Sequence, residues 1–240
     1  MTHAFYLRFA GMPWWQAYHA SPMPPVPPLG SHYFTTILWR KDSLAAAKCH
    51  LPHPFKETKM GRDLRAVSGS LGGMPLRVCT THLESPMGGP RQVMWPERRA
   101  QMDEMLPLLD ASPEPNCLVA GDMNWIPIDG EDKPVPLPPG WVDVWLELRP
   151  QDPGWTYDSQ VCYQKGRKYG RGSRLDRMFC RLADWQPLAI EMVGQEPIAG
   201  LTRTVRTGKT ARSDKTIPVW PSDHFGLFAV FVRKQWPGGG

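Results

Sequence analysis

Three short polar motifs, each next to an apolar run, carry the residue types that phosphate chemistry uses. They are Thr81-His82-Leu83-Glu84-Ser85, Gly121-Asp122-Met123-Asn124 and Ser222-Asp223-His224. The first two follow apolar runs that end at Cys79 and Ala120, and the third precedes the last apolar run of the chain. Because α/β folds build sites at strand ends around one sheet rim, the three motifs are candidates for a single site.

The side chains of these motifs suit acid–base and charge-stabilising chemistry. Asp122 and Asn124, two positions apart, leave a strand end on the same side, so one can act as an acid or base while the other donates to a phosphoryl oxygen. The Asp223 carboxylate suits a hard cation, and the His224 imidazole suits a developing oxyanion. Each motif alone also has a structural interpretation, with His82 and His224 as core histidines and Asp122 as a helix cap.

The elements that must position these motifs are mostly strands. Strands are predicted over residues 33–39, 64–71, 75–81, 117–120, 175–182 and 225–232, and Gly72 and Gly73 predict a hairpin turn. An amphipathic helix is predicted over residues 97–109, with Pro107 kinking it or ending it early, and a short helix over 143–148. This succession predicts sheets packed on each other and flanked by helices.

Length, composition and charge limit the classes of protein. The chain has 240 residues, 41% of them hydrophobic and 21% charged, which indicates one globular domain or at most two small ones. We expect neither a membrane-spanning helix nor a secretory signal. The net charge of +5 is compatible with a phosphate-rich partner.

Cysteine usage and two basic loops leave open alternatives. The odd number of cysteines without metal-ligand spacing predicts reduced thiols, and hence a nuclear or cytoplasmic location. The cysteines are Cys49, Cys79, Cys117, Cys162 and Cys180. The basic loops, residues 165–174 and 203–215, are either solvated insertions or arms that contact phosphates.

In their order, the three motifs and Leu175-Asp176-Arg177 resemble the endonuclease/exonuclease/phosphatase family, the group of deoxyribonuclease I and the abasic-site endonucleases. The Thr81–Ser85 motif, residues 33–38 and Trp155-Thr156-Tyr157-Asp158 most resemble its 5′-tyrosyl-DNA phosphodiesterases, which remove topoisomerase tyrosine adducts from DNA 5′ ends. The resemblance covers roughly residues 33–231.

The resemblance implies an α/β (α+β) fold of deoxyribonuclease I type, a two-sheet β-sandwich flanked by helices. We expect an irregular segment over residues 1–30, the family domain over residues 31–233 and a tail over residues 234–240. Compared with the family pattern, the domain is expected to be truncated at its N-terminus and to lack its first strand and helix.

The resemblance also implies an activity and a set of site residues. A magnesium-dependent phosphodiesterase, with manganese as an alternative metal, would hydrolyse 5′-phosphotyrosyl bonds in DNA repair as a monomer away from membranes. Its catalytic residues would be Asp122, which orients or deprotonates the attacking water, Asn124 and His82 at the scissile phosphate, and His224, which donates to the phosphoryl oxygen. Asp223 would bind the metal, and the single-stranded 5′ end would contact Tyr33, Tyr157, Leu175 and Asn124.

The sequence departs from the family pattern in three places. The family has an asparagine-bearing strand end and a metal-binding glutamate, but the first Asn here is Asn116 and the first Glu is Glu57. Trp125-Ile126 replaces the family's Leu-Arg, which removes a cation, and Tyr157 replaces a Trp. Loss of the glutamate weakens magnesium binding. The alternatives are therefore a catalytically impaired nucleic-acid-binding remnant or a fragment without activity.

Overall fold

The structure is a computed structural model that describes residues 1–24, 33–86, 94–125, 134–158, 172–206 and 214–235. Its strands are β1 (Tyr18–Ala20), β2 (Leu38–Arg40), β3 (Leu44–Cys49), β4 (His53–Pro54), β5 (Asp63–Leu71), β6 (Met74–His82), β7 (Asn116–Asp122), β8 (Val142–Asp143), β9 (Asp176–Leu182), β10 (Trp185–Val193), β11 (Thr202–Arg206), β12 (Asp214–Pro218) and β13 (Gly226–Arg233). Its helices are α1 (His3–Ala10), α2 (Trp95–Asp110) and α3 (Val144–Leu148), with a 3₁₀-helix over Pro13–Ala17.

A seven-stranded sheet forms the centre of the described fold. Its strand order is β3-β5-β6-β7-β9-β8, with β4 paired to β5. Strands β6 and β7 run parallel, whereas β7 and β9 run antiparallel. The predicted hairpin is confirmed as β5 and β6, and its turn residues Gly72 and Gly73 have φ values of 56° and 86°. Two residues in this conformation give a turn whose twist matches that of the flanking strands.

The two faces of the sheet bury different layers because successive side chains of a strand point to opposite sides. Cys117 and Val119 of β7 belong to a core that includes Met102 and Met105 of α2. Leu118 packs against a second core on the opposite face. That core is formed by α3, β9 and the small β10–β13 sheet, through Val144, Trp145, Cys180, Ile190, Leu227 and Phe231. The predicted α/β fold with two packed sheets and flanking helices is therefore confirmed.

Helix α2 continues through Pro107 to Asp110, so the prediction that this proline ends the helix early was wrong. A proline inside a helix costs about 3 kcal/mol through a lost hydrogen bond and a ring clash. Its neighbours Leu106 and Leu109 are 5% and 1% exposed. Since burying a leucine side chain contributes about 1.5–3 kcal/mol, the packing of these two residues offsets the cost of the proline.

The N-terminal part of the chain is more regular than the predicted irregular segment. Helix α1 begins after Thr2, whose hydroxyl accepts a hydrogen bond from the Phe5 amide, and β1 pairs with β2. The strand predicted over residues 33–39 was too long, because only its last two residues lie in β2. The nine-residue strand β10 was not predicted at all. Its proline, Pro187, lies at a register shift opposite β13, where a missing amide hydrogen is tolerated.

The cysteines in the described part of the chain are free thiols. Cys79, Cys117 and Cys180 are buried and Cys49 is partly exposed, whereas Cys162 lies outside the described residues. Among the described helices, none combines the length and the apolarity that a bilayer crossing needs.

Candidate active site

One cleft of about 1090 Å³ contains every residue that the sequence predicted for the site. These residues are Tyr33, His82, Asp122, Asn124, Tyr157, Leu175, Asp223 and His224. The cleft is also lined by residues that carried no predicted role, among them Lys59, Met60, Arg62, Ser85, Asp176 and Ser222. The structure thus brings together side chains from positions 33 to 224, while their chemical roles remain proposals.

Three adjacent strands place His82, Asp122 and Asp176 side by side at the rim of the sheet. His82 is the register partner of Asp122 in the parallel β6–β7 pair, and Asp122 is the partner of Asp176 in the antiparallel β7–β9 pair. Gly121 allows this approach, because a Cβ at this position would lie 2.0 Å from the Thr81 carbonyl oxygen. The sheet register therefore sets the spacing of the polar groups.

Asp122 accepts hydrogen bonds from both sides of the rim. Its Oδ2 lies 3.2 Å from His82 Nε2, and its Oδ1 accepts from the Asn124 amide at 2.9 Å. Burial raises the pKa of Asp122, but the hydrogen bond and charge of His82 and the charge of His224 hold it below its usual range. Asp122 is therefore an ionised acceptor at neutral pH.

His224 pairs with Asp176 across the cleft. The His224 Nδ1 lies 2.7 Å from Asp176 Oδ2. Burial lowers the pKa of His224, but the hydrogen bond and charge of Asp176, with the charges of Asp122 and Asp223, outweigh burial and raise the pKa to about 8. The imidazole is mostly protonated at pH 7, and its Nδ1 is held by Asp176.

Asn124 is held in a left-handed backbone conformation, with φ of 46°, where Asn is one of the tolerated residues. Its side-chain amide donates to the Leu83 carbonyl at 3.0 Å and to Ser85 Oγ at 3.3 Å. Ser85 Oγ also lies 3.2 Å from His82 Nε2. Asn124 thus joins the ends of β6 and β7, so its proposed contact with a phosphate requires exchange of the longer bond.

Two cations on the segment before β5 enter the cleft. Arg62 is half-buried and donates from Nη2 to Ser85 Oγ at 2.9 Å. Burial lowers the pKa of this guanidinium, while the charges of Glu84 and Asp122 raise it. The ammonium of Lys59 lies 2.7 Å from Glu97 at the exposed rim. The cleft therefore has a cation even though the Leu-Arg pair after Asn124 is absent.

The residues predicted to contact the 5′ end all line the cleft. The Tyr157 ring lies 5.2 Å from the His224 ring, centroid to centroid. Tyr33 is 66% exposed, whereas Leu175 is buried and its amide donates to Thr156 Oγ1 at 3.1 Å. An exposed ring is suited to stacking with a base, whereas a buried leucine contributes apolar surface.

Candidate metal ligands occur as one group in the described part of the chain. Asp122, Asp176 and His224 each offer an atom, and these atoms lie within 4.8 Å of one another. Carboxylate oxygens are the donors that magnesium and manganese prefer, so the donor set fits a divalent cation. Asp223, the residue predicted to bind the metal, lies in the same cleft but outside this group.

The basic loops contribute little to the described cleft. Arg174, which the sequence placed in the first loop, forms a mostly buried ion pair with Asp143 at 2.7 Å. Its guanidinium is therefore bound by Asp143, and Arg174 does not line the cleft. Residues 165–171 and 209–212, which hold most of the other basic residues of these loops, lie outside the described residues.

Sequence reasoning gave no role to Asp176 and Arg62. Asp176 had a signal, because it stands beside Leu175 at the start of a predicted strand. Arg62 had none, since it is an isolated basic residue between two strands. Only the packing of its segment against the β6 end brings it into the cleft.

Comparison with known proteins shows which family this chain resembles. The sequence model of the Endonuclease/Exonuclease/phosphatase family matches residues 3–224, which includes the segment predicted to precede the domain. Tyrosyl-DNA phosphodiesterase 2 of Homo sapiens is 31% identical over 205 residues, covering 81% of this chain and 49% of that protein. The 5′-tyrosyl-DNA phosphodiesterase of Caenorhabditis briggsae is 25% identical over 203 residues, covering 84% of this chain and 51% of that protein.

Solved structures give the same result. The crystal structure of D. rerio TDP2 complexed with single-strand DNA product matches with a TM-score of 0.72 at 25% identity, covering 97% of this chain and 83% of that chain. The chain spans about half the length of the curated relatives that it matches.

Proposed function

The chain belongs to the endonuclease/exonuclease/phosphatase family, and from this premise we propose that it is a metal-dependent phosphodiesterase of the 5′-tyrosyl-DNA phosphodiesterase type. One observation carries the proposal: a single cleft gathers an ionised carboxylate, a protonated imidazole and a guanidinium. Hydrolysis of a phosphodiester needs an oriented water and fixed donors for the charge on the phosphoryl oxygens. Asp122, His224 and Arg62 are suited to these tasks.

The proposed reaction is attack of water on the phosphorus atom. The phosphorus–oxygen bond to the tyrosine breaks, the phenolate leaves and takes a proton from solvent, and the DNA keeps a 5′-phosphate. Asp122 orients the attacking water, accepts its proton and then releases that proton to solvent. His224 donates a hydrogen bond to the phosphoryl oxygen, and Asp176 holds the imidazole so that Nε2 is free for this donation. His82 and Asn124 also bind the scissile phosphate.

The carboxylates of Asp122 and Asp176 are the residues that would hold a divalent cation, and Asp223 lines the same cleft outside this group. When bound, magnesium or manganese supplies neutralisation of the charge on the phosphoryl oxygens. His224, being protonated, acts as a donor and not as a ligand in this arrangement.

The proposed substrate is a single-stranded DNA 5′ end that carries a tyrosyl adduct. Relatives that are 31% and 25% identical to this chain are named for tyrosyl-DNA, and the D. rerio structure contains single-strand DNA product. Tyr33 and Tyr157 offer rings on which bases of any sequence stack, with Leu175 below them. We further propose that the protein acts in DNA repair, in the nucleus or cytoplasm, as a monomer.

A second candidate function is nucleic-acid binding without catalysis. Both carboxylates of the metal group already contact imidazoles, Asp122 with His82 and Asp176 with His224. A cation must therefore compete with these imidazoles for the two carboxylates. This candidate predicts binding of single-stranded DNA that weakens steeply with salt and does not depend on magnesium.

Hydrolysis of a 5′-phosphotyrosyl oligonucleotide with and without magnesium distinguishes the two. The enzyme proposal predicts release of tyrosine that requires the metal and falls at least about a hundredfold in Asp122→Asn. An Asp103→Asn variant, which removes an exposed carboxylate on the outer face of α2, serves as the control. Binding of the oligonucleotide without tyrosine release would reject the enzyme and support the second candidate. Cleavage of abasic DNA or phosphoinositides alone would reject the substrate assignment.

A further inference from the structure

Glu84, in the first of the three motifs, is a buried carboxylate that the proposed reaction does not use. It is 0% exposed and follows His82 by two residues at the end of β6. Its carboxylate accepts three hydrogen bonds: from Thr58 Oγ1 at 2.9 Å, from the Lys59 amide at 3.0 Å and from Gln101 Nε2 at 3.0 Å. Burying a carboxylate without hydrogen-bond donors costs free energy, so its oxygens are expected to accept hydrogen bonds. For Glu84 the donors come from two other parts of the chain.

The main chain of Glu84 is tied to α2 as well. The Glu84 amide donates to Gln101 Oε1 at 2.8 Å, and Arg98 Nη1 donates to the Glu84 carbonyl at 2.9 Å. Gln101 Nε2 also donates to the Glu57 carbonyl at 2.7 Å. Arg98 is fully buried beside Glu84, and its positive charge offsets the buried negative charge. Both the main chain and the side chain of Glu84 are therefore bonded to helix α2.

The donors from Thr58 and Lys59 belong to residues 56–62, which we call the cation segment. This segment connects β4 to β5, has no helix or strand of its own, and carries three cleft-lining side chains, Lys59, Met60 and Arg62. Without regular structure, its conformation depends on bonds to other elements.

The hydrogen bonds continue from Glu84 to the guanidinium in the cleft. Thr58 Oγ1, which donates to Glu84, accepts from the Arg62 amide at 2.9 Å. The Arg62 side chain then reaches Ser85 Oγ, which is itself within 3.3 Å of both His82 Nε2 and Asn124 Nδ2. The chain of contacts joins a buried carboxylate to the cation that faces the proposed phosphate.

We propose that Glu84 is a positioning residue that anchors the cation segment through Thr58 and Lys59, and thereby holds the Arg62 guanidinium beside Ser85. The proposal rests on the proposed function only for the ligand, a DNA 5′-phosphate. The anchoring itself is independent of any activity. Glu84 touches no reacting atom and acts through Arg62.

Trypsin tests the anchoring directly, because the cation segment contains Lys59. In native conditions, Glu84→Gln and Thr58→Val should raise the cleavage rate after Lys59 at least about tenfold, since both variants release the segment. Thr58→Val removes the hydroxyl that links Glu84 to the Arg62 amide and leaves the buried carboxylate in place. It therefore still tests the anchoring if Glu84→Gln does not fold. Asp103→Asn is the control and should keep the wild-type cleavage rate, because Asp103 pairs with Arg99 on the exposed face of α2 and not with the cation segment in the described part of the chain. Wild-type cleavage rates in both variants would overturn the proposal.

Binding of a 5′-phosphorylated single-stranded oligonucleotide tests the consequence. Arg62→Ala and Thr58→Val should each raise Kd by about three- to tenfold, and the double variant should be no weaker than Arg62→Ala, because both changes act through one group. Additive effects would overturn the proposal and assign Thr58 and Glu84 to stability alone. A wild-type protein that does not bind this oligonucleotide would reject the proposed function, and the trypsin result would still decide the anchoring.

Discussion

His82 and Asp122 face each other across the parallel β6–β7 pair, with His82 Nε2 3.2 Å from Asp122 Oδ2. Because parallel neighbours end at the same rim, the residues that follow two apolar strands are brought into contact by the sheet itself. A slip of either strand by one residue would turn its side chain to the other face and separate the pair. The proposed chemistry therefore depends on the register of the sheet.

This dependence predicts a large effect at Gly121. In Gly121→Ala, the new Cβ would lie 2.0 Å from the Thr81 carbonyl oxygen, and neither strand can move without breaking the ladder. We expect a loss of stability on the order of 3 kcal/mol, measured by urea unfolding. Gly11→Ala is the control, because its Cβ would make only a 3.6 Å contact at negative φ. Equal unfolding midpoints for the two variants would contradict the account.

The pairing of His224 with Asp176 predicts a pH dependence that can be measured in the metal-free protein. An NMR titration of the His224 ring should give a pKa of about 8, above the ordinary value of 6.5, so the pair stabilises the fold below pH 6.5 and this contribution is lost as the pH rises through about 8. Asp176→Asn should lower the pKa of His224, because the negative charge of Asp176 no longer opposes the lowering of this pKa by burial. Glu191→Gln, on the exposed side of β10, should leave it unchanged. An unaltered pKa in Asp176→Asn would show that the pairing does not hold the proton.

The carboxylate group of the cleft predicts where a cation binds. Manganese affinity, measured from the electron paramagnetic resonance of free Mn²⁺, should fall at least about tenfold in Asp122→Asn and in Asp176→Asn. Asp103→Asn should bind as the wild type does. Comparison with Asp223→Asn decides whether the residue predicted from the sequence also serves as a ligand. Wild-type affinity in both Asp122→Asn and Asp176→Asn would place the cation elsewhere.

The exposed ring of Tyr33 predicts a contribution to strand binding. Tyr33→Ala should weaken binding of a single-stranded 5′-phosphorylated oligonucleotide by about 1–3 kcal/mol, the range for one stacked base. Tyr33→Phe keeps the ring and should bind as the wild type does. Since the side chain is 66% exposed, neither change should alter the melting temperature. A loss of affinity in Tyr33→Phe equal to that in Tyr33→Ala would mean that the hydroxyl, not stacking, is the contact.

Some strands and helices could be predicted because the sequence pattern that favours them lies within the element itself. The β5–β6 hairpin followed from two glycines between β-rich runs, and β7 from four apolar residues. The helix α2 was predicted within two residues at its start, but its passage through Pro107 depends on the burial of Leu106 and Leu109 against the sheet. That burial is a tertiary effect that helical spacing does not contain.

The cleft could be predicted only in part, for a similar reason. His82, Asp122 and His224 stand in motifs at strand ends, where chemistry is expected. Arg62 reaches the cleft through hydrogen bonds that it donates to Thr58 and Ser85, which lie 4 and 23 positions away from it. No spacing rule connects these positions, because the contact depends on how the segment packs against the end of β6.

Hydrolysis of a 5′-phosphotyrosyl oligonucleotide in H₂¹⁸O with magnesium tests the central claim most directly. We expect one ¹⁸O atom in the 5′-phosphate of the product DNA and none in the released tyrosine, and we expect labelled product to form at least about a hundredfold more slowly with Asp122→Asn. Label in the tyrosine, or formation of labelled phosphate by Asp122→Asn at the wild-type rate, would contradict attack of an Asp122-oriented water on phosphorus in this cleft.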